Sequence, residues 1–132
     1  EWLSPDNDRD HWDIIEGQGS LFHPSFAGVS LGLLHGSQPD AFIVCHEPTR
    51  TQMRGVEAAL PSIGDVIKQT IQCGKLTNKN IHCIGIALNT SNMKNNKSDI
   101  KKEISSQYQL PCIDPITDNL DPFIDLLEKI ND

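Results

Sequence analysis

The feature that most constrains the fold is an alternation of short apolar runs with longer segments of helical periodicity. Apolar runs bounded by polar turn residues are typical of strands, and apolar residues three or four positions apart are typical of amphipathic helices. The predicted strands are residues 12–16, 40–46, 81–88 and 110–114, and the predicted helices are residues 26–35, 63–76, 99–107 and 121–130. Because alternating strands and helices build a parallel sheet with helices on both faces, the sequence predicts a three-layer α/β domain.

Local signals add detail to these elements. Residues 40–46 form a continuous apolar run, which predicts a strand covered on both faces. Ser62 and Ser98 stand where side-chain caps begin helices. Gly28 and Gly32 weaken the first helix, so we expect them to mark a side that packs closely or faces a ligand.

The charge of the chain excludes two classes of partner. The 132 residues carry a formal net charge of −7, with a pI of about 5.1. Nucleic acids and anionic membranes bind basic surfaces, so we expect neither as a partner. The chain also has no apolar run long enough to cross a bilayer, and we expect a cytoplasmic protein.

The four cysteines show neither a paired CxxC motif nor metal-finger spacing. Cys45, Cys83 and Cys112 lie inside predicted strands, where a free cysteine behaves as a small apolar residue. We therefore expect buried free thiols, as in a protein of a reducing compartment. The sequence begins at Glu1 rather than at methionine, which suggests a piece of a longer protein.

Ligands of parallel α/β sheets bind at the carboxyl ends of the strands. Four polar segments follow the four predicted strands, and we expect them to converge there: residues 16–20, 46–50, 89–91 and 114–117. Glu16 is the strongest candidate, because a carboxylate at a strand end can bind Mg²⁺ or accept a proton; the alternative is a solvated loop glutamate. Gly17 and Gly19 would let a ligand approach the backbone, or would only form a turn.

Other candidates surround these strand ends. Ser20 and Ser25 can bind an oxyanion or cap the first helix. His23 and His46 are acid–base candidates without metal-site spacing. Arg50 and Arg54 can hold a carboxylate or phosphate, or can be exposed loop arginines. Asn89 can bind the edge of a purine or of a polar substrate, or can form an Asx turn.

A phosphate-binding loop is missing from the sequence. Neither G-x-x-x-x-G-K-[ST] nor G-x-G-x-x-G after a strand occurs, and the single Gly-Lys pair, Gly74-Lys75, lies in a predicted helix. Any cradle for nucleotide phosphates would therefore come from outside this sequence.

The runs IIEGQGSLFHPSFAGVSLGLLHGSQPDA, CHEPTRTQMRG and GIALNTS resemble the C-terminal part of a bacterial and archaeal family whose members are assigned as D-glutamate N-acetyltransferases. The resemblance runs from about residue 13 to the C-terminus. It implies that residues 1–132 are one α/β domain of a longer two-domain protein, with a fold like that of P-loop NTPases. It also implies an acidic amino acid as the substrate and acetyl-CoA as the acetyl donor.

The layout is more distantly similar to dethiobiotin synthetase, which has a strand ending in Glu-Gly-x-Gly and a later strand ending in asparagine. That similarity implies a Mg²⁺ or substrate role for Glu16, Gly17 and Gly19, and a cofactor role for Asn89 with Thr90 beside it. Gln18 and Ser20 depart from the synthetase pattern, so biotin-type chemistry is not implied, and both stay candidates for substrate binding.

In P-loop folds the strand that carries the phosphate loop normally lies between the strands corresponding to residues 12–16 and 40–46. Without it, those two strands must pair directly, leave a gap or be bridged by another chain. We therefore expect exposed sheet edges and a homo-oligomer.

Three functions remain open. The first is an N-acyltransferase domain in which Arg50 or Arg54 holds the substrate carboxylates and Glu16 or His23 takes the proton of the amine. The second is an amide-forming ligase that uses ATP and Mg²⁺. The third is a structural or oligomerisation fragment without activity of its own.

Overall fold

Three of the four predicted strands form a parallel sheet. The computed structural model describes Asp8 and residues 11–131, and the elements follow one another along the chain as α1 (Ala27–Ser37), β1 (Ala41–His46), α2 (Ile63–Gly74), β2 (His82–Leu88), α3 (Lys97–Tyr108), β3 (Cys112–Ile113) and α4 (Asp121–Asn131). The strand order in the sheet is β1-β2-β3. The fold is therefore α/β with a three-stranded parallel sheet.

The predicted first strand, residues 12–16, is wrong. These residues are in an irregular conformation and are exposed to solvent, with 95% of Ile14 accessible and 42% of Trp12. A strand needs a neighbour to accept and donate its backbone hydrogen bonds. In the part of the chain described here no strand lies beside residues 12–16, so their backbone is left to water.

The sheet has helices on both faces, as predicted. Val44 and Ile86 pack in one core cluster with Ile63 of α2 and Ile104 of α3. Side chains of a strand alternate between faces, so Gly85 lies on the opposite face from Ile86. There it meets α4: a Cβ at Gly85 would come within 2.2 Å of the Phe123 ring. Glycine at this position lets the Phe123 ring lie directly on the strand.

The expectation that β1 is covered on both faces is wrong. Val44 is buried, but its neighbours Ile43 and Cys45 are exposed. The reason is that β1 is the edge of the sheet, and the helix on that face, α4, packs on β2 through Gly85 and Phe123. Cys45 is accordingly not a buried thiol, whereas Cys112 is buried and burial raises the pKa of its thiol to about 11.

The helix signals were partly correct. Ser62 caps α2, because its Oγ accepts a hydrogen bond from the Asp65 N–H at 3.0 Å. The predicted cap Ser98 is wrong: α3 begins after Asn96, which is left-handed with φ of 61°, so Ser98 lies inside the helix. Close packing at Gly28 and Gly32 is also not observed, since a Cβ at either would meet nothing within 4 Å among the described residues.

Candidate functional site

The carboxyl ends of the three strands line a shallow, solvent-open cavity of about 300 Å³, which we call the strand-end cavity. Its walls come from all three strands and the loops that follow them. They are Cys45, His46, Glu47 and Arg50 from β1, Ala87, Leu88 and Asn89 from β2, and Asp114, Pro115 and Ile116 from β3. Three of the four predicted polar segments therefore meet. Residues 16–20 do not line the cavity.

Glu47 organises the loop after β1. Its carboxylate accepts hydrogen bonds from Asn92 Nδ2 at 2.8 Å, from Thr49 Oγ1 at 3.1 Å and from Arg50 Nη2 at 2.6 Å. The bonds from Asn92 and Thr49, with the charge of Arg50, hold the pKa of Glu47 below its usual value. Because Asn92 follows β2, the Glu47 side chain ties the loops of two neighbouring strands together.

Arg50 lies at the rim of the strand-end cavity, and about half of its side chain is exposed. Its one ion pair among the described residues is with Glu47, three positions earlier in the same loop. The Glu47 side chain is only 17% exposed, so the pair lies partly within the protein. The exposed part of the Arg50 side chain is open to the carboxylate of a ligand.

His46 is the histidine of the cavity. Burial lowers the pKa of its imidazole, and the charge of Arg50 acts in the same direction, while the carboxylate of Glu47 opposes them. The net shift is downward from the usual value of 6.5. At neutral pH the ring is therefore uncharged and able to accept a proton.

Asn89 and Thr90 end β2 in different environments. The Asn89 N–H donates to the His46 carbonyl at 2.9 Å, and its Oδ1 accepts from the N–H and the hydroxyl of Ser91. This is the Asx turn considered above, and it leaves the exposed amide nitrogen of Asn89 without a hydrogen bond to any described residue. Thr90, in contrast, is only 1% exposed, and its hydroxyl donates to the carboxylate of Asp114.

Glu16 and its neighbours lie in an exposed turn before α1. Glu16, Gly17 and Gln18 are all exposed, and the Gln18 carbonyl accepts a hydrogen bond from the Ser30 hydroxyl. Gly19 has a positive φ of 36°, and a Cβ there would lie 2.9 Å from Phe26 Cβ, so the turn requires glycine at this position. Ser20 Oγ accepts from the Phe22 N–H at 3.1 Å.

His23 fixes this turn to the loop after β1. The residue is 7% exposed, its Nε2 donates to the Arg54 carbonyl at 2.9 Å, and its Nδ1 accepts from the Ser25 N–H at 3.2 Å. The cap role considered for Ser25 is not observed, because α1 begins after Phe26 with no side-chain cap. The Arg54 side chain is exposed, and it is not part of the strand-end cavity.

The described residues do not form a metal site by themselves. Among the residues that the structure describes, no group of three histidine, cysteine, aspartate or glutamate side chains could hold a metal ion. Mg²⁺ is commonly held by one or two carboxylates together with substrate phosphates. Glu16 could therefore bind Mg²⁺ only together with a phosphate compound that supplies most of the ligands.

Sequence reasoning missed Glu47, Asn92 and the buried partner of Thr90, Asp114. Glu47 and Asp114 stood within the predicted polar segments, each directly before a proline that ends its strand. A carboxylate before proline at two strand ends was the available signal. Nothing in the sequence indicated that Asn92 would contact a residue 45 positions away.

Comparison with known proteins assigns the family. Residues 1–124 match the family model described as "Domain of unknown function (DUF1611_C) P-loop domain". The chain belongs to this DUF1611 family. A crystal structure of a DUF1611 family protein from Anabaena variabilis is similar over 86% of this chain, with a TM-score of 0.76 and 26% identity, and the similar region is 34% of that chain.

Two curated relatives carry the name D-glutamate N-acetyltransferase. The protein from a Pseudoalteromonas species is 50% identical over 126 residues, which are 94% of this chain and 38% of the relative. The protein from Tritonibacter scottomollicae is 42% identical over 132 residues, 98% of this chain and 40% of the relative. The DUF1611 chain described here thus spans about two fifths of the length of these relatives. None of the helices in its described part has the length and apolarity needed to cross a membrane.

Proposed function

We propose that this DUF1611 domain is part of an N-acetyltransferase that transfers the acetyl group of acetyl-CoA to the amino group of an acidic amino acid such as D-glutamate. The observation that carries the proposal is the identity of 50% and 42% to two proteins of that name over nearly the whole chain. The strand-end cavity supports it, since about 300 Å³ suits an amino acid far better than a complete coenzyme.

Arg50 is proposed to hold a carboxylate of the amino acid. It is the arginine of the strand-end cavity, and about half of its side chain is exposed, so a substrate carboxylate can reach the guanidinium beside its present partner Glu47. A guanidinium binds carboxylates through two parallel hydrogen bonds, which also orients the substrate. The other arginine considered, Arg54, remains an alternative that lies outside this cavity.

Acetyl transfer requires the amine to lose a proton as its nitrogen attacks the thioester carbonyl and the CoA thiolate leaves. His46 suits this step best, because its imidazole lies in the cavity and is neutral at neutral pH. Both ring nitrogens of His23 already bond to the backbone, and Glu16 lies outside the cavity. Those two residues are kept as alternatives for the same role.

The phosphates of acetyl-CoA would need further residues. The described part of the chain has no phosphate loop in its sequence, so the proposed binding of the coenzyme depends on the rest of the protein. Glu16, Gly17, Gln18, Gly19, Ser20 and Ser25 stay candidates for contacts with the substrate or with a Mg²⁺–phosphate group. Asn89 stays a candidate for the coenzyme.

The test uses the complete protein incubated with acetyl-CoA and either D-glutamate or L-glutamate, with the release of free CoA thiol measured. We expect release that depends on the acidic amino acid. His46→Gln should lower kcat about 100-fold, as expected for loss of a general base, and Arg50→Gln should raise KM for the amino acid. Lys75→Gln, an exposed substitution at the carboxyl end of α2, is the control. No CoA release with any acidic amino acid would refute the proposal.

The name of the family favours one second candidate, an amide-forming ligase that consumes ATP with Mg²⁺, because P-loop domains commonly bind nucleotides. The same incubation with ATP and Mg²⁺ added distinguishes the two. Stoichiometric formation of ADP or AMP, without release of CoA, would support the ligase.

A homo-oligomer is also proposed. Strand β1 is an edge strand, and the exposed side chains of Ile43 and Cys45 lie on its uncovered face. Edges of this kind tend to pair with a further strand. Sedimentation of the 132-residue chain should show a mass above that of the 14.7 kDa monomer.

A further inference from the structure

Two polar side chains are buried together at the strand-end cavity, and one of them, Asp114, lines it. Asp114 is 3% exposed and Thr90 is 1% exposed, although they stand 24 residues apart in the sequence. One carboxylate oxygen of Asp114, Oδ2, accepts both the Thr90 N–H at 3.2 Å and the Thr90 hydroxyl at 2.5 Å. A buried charge is tolerated only when hydrogen bonds replace its water, and here Thr90 supplies two of them.

The same carboxylate also holds its own loop, the one after β3. Its second oxygen, Oδ1, accepts the Ile116 N–H at 3.1 Å. Asn89, directly before Thr90, lines the cavity, and so do Pro115 and Ile116 of the loop after β3. The Asp114 side chain therefore joins the loop after β2 to the loop after β3 at the point where both face the cavity.

Asp114 is itself held from helix α3. Its N–H donates to Asp118 Oδ2 at 2.8 Å, and that oxygen also accepts from Lys101 Nζ at 2.5 Å. Lys101 belongs to α3, which packs on the core through Ile104. The series Lys101, Asp118, Asp114 and Thr90 thus runs from a helix of the core to the wall of the cavity.

We propose that Asp114, acting through Thr90, is a positioning residue that fixes the spacing of the loops after β2 and β3 at the strand-end cavity and so sets the affinity for the amino acid substrate. The identity of that substrate rests on the function proposed above. Neither residue needs to bind the substrate, because Thr90 does not line the cavity and both carboxylate oxygens of Asp114, which does line it, already accept hydrogen bonds from the protein. A single apolar pair would fill the same space, but it could not fix the backbone N–H groups of both loops.

The test compares three variants of the complete protein. Thr90→Val keeps the shape of the side chain and removes the hydroxyl, and Thr90→Ser keeps the hydroxyl. Thr77→Val removes a hydroxyl that bonds to the Gly74 carbonyl in the turn after α2, and neither residue lines the cavity. KM and kcat for CoA release with D-glutamate are measured well below the melting temperature of each variant. Hydrogen exchange of the Ile116 amide is measured in parallel.

We expect Thr90→Val to raise KM for D-glutamate about tenfold while kcat changes less, as loss of one strong hydrogen bond implies. The Ile116 amide should exchange faster in the same variant. Thr90→Ser should restore both values, and Thr77→Val should leave both unchanged. Should Thr90→Val fail to fold, Asp118→Asn is measured in the same way. This substitution weakens the hold of Asp118 on the Asp114 N–H, and the Asp118 side chain is 27% exposed, so the variant is easier to accommodate.

A lower melting temperature with unchanged KM and unchanged exchange at Ile116 would overturn the inference, since it would give Asp114 and Thr90 a purely structural role. If the wild-type protein releases no CoA, the proposed function fails by itself. The exchange of the Ile116 amide then decides the inference alone, because it needs no substrate.

Discussion

Strand β2 and residues 12–16 are both short, largely apolar runs, followed by Asn89 in one case and ending in Glu16 in the other, yet only β2 is a strand. Ile86 in β2 is completely buried, whereas 95% of Ile14 is exposed. The difference lies in their neighbours: β2 is hydrogen-bonded to β1 on one side and β3 on the other, and residues 12–16 lie beside neither. The comparison teaches that an apolar run becomes a strand only where another strand meets its backbone.

The same comparison separates the two halves of the predicted site. The polar residues after β1, β2 and β3 are held together because three paired strands end at one edge of the sheet. Glu16 follows a run that is not paired, so nothing places its carboxylate at that edge. The strand-end cavity and the exposed Glu16 turn therefore differ in what positions them, although the polar segments of both follow apolar runs in the sequence.

The largest predicted effect is a change in the free energy of unfolding, and it comes from replacing isoleucine by alanine in each of the two regions. Ile86→Ala should destabilise the 132-residue chain by about 2–5 kcal/mol, because it leaves a cavity between β2 and the helices α2 and α3. Ile14→Ala should change the free energy of unfolding by less than about 0.5 kcal/mol, since its side chain is in water. Both values come from urea unfolding followed by circular dichroism.

Ile14→Ala measured in the complete protein sharpens the comparison. A cost there similar to that of Ile86→Ala would show that another part of the protein buries residues 12–16. A large cost in the 132-residue chain itself would contradict the exposed conformation described here.

A second pair of variants tests the backbone in the two regions. Gly85→Ala should cost about 1–3 kcal/mol, because the new methyl group would lie 2.2 Å from the Phe123 ring and must displace it. Gly17→Ala should cost less than about 0.5 kcal/mol, as a Cβ there meets nothing within 4 Å. Equal melting temperatures for the two variants would mean that α4 does not pack on β2 through Gly85.

Most of the fold could be predicted from the sequence, because local periodicity and the strand–helix alternation agree with each other. The strands predicted at residues 40–46 and 81–88 match β1 and β2 to within one residue, and Ser62 caps α2 as predicted. What failed depended on distant neighbours. Neither the isolation of residues 12–16 nor the exposure of Cys45 can be derived from local pattern, since both follow from which elements lie next to the sheet.

The site was predictable in place but not in its internal contacts. That strand ends converge follows from parallel pairing, and it brought His46, Arg50 and Asn89 to one cavity. The pairs Glu47–Asn92 and Thr90–Asp114 join residues 45 and 24 positions apart, and no spacing rule predicts such contacts. Thr90 was predicted to bind a cofactor, and its hydroxyl is instead engaged by Asp114 inside the protein.

The smallest predicted effect concerns one half-buried group in the cavity. The folded-state pKa of His46 is lowered from its usual value of 6.5 by burial, so the unfolded chain binds a proton more readily than the folded one. Its contribution to stability is therefore complete above pH 6.5 and is lost as the pH falls below 6.5 toward the folded-state pKa. The urea midpoint should decline from about pH 7.5 to about pH 5 in the wild type and decline less in His46→Gln. If the urea midpoint falls with pH equally in the two proteins, His46 is as solvated as the exposed side chains of residues 11–19. The contrast between the two regions would then not extend to the cavity.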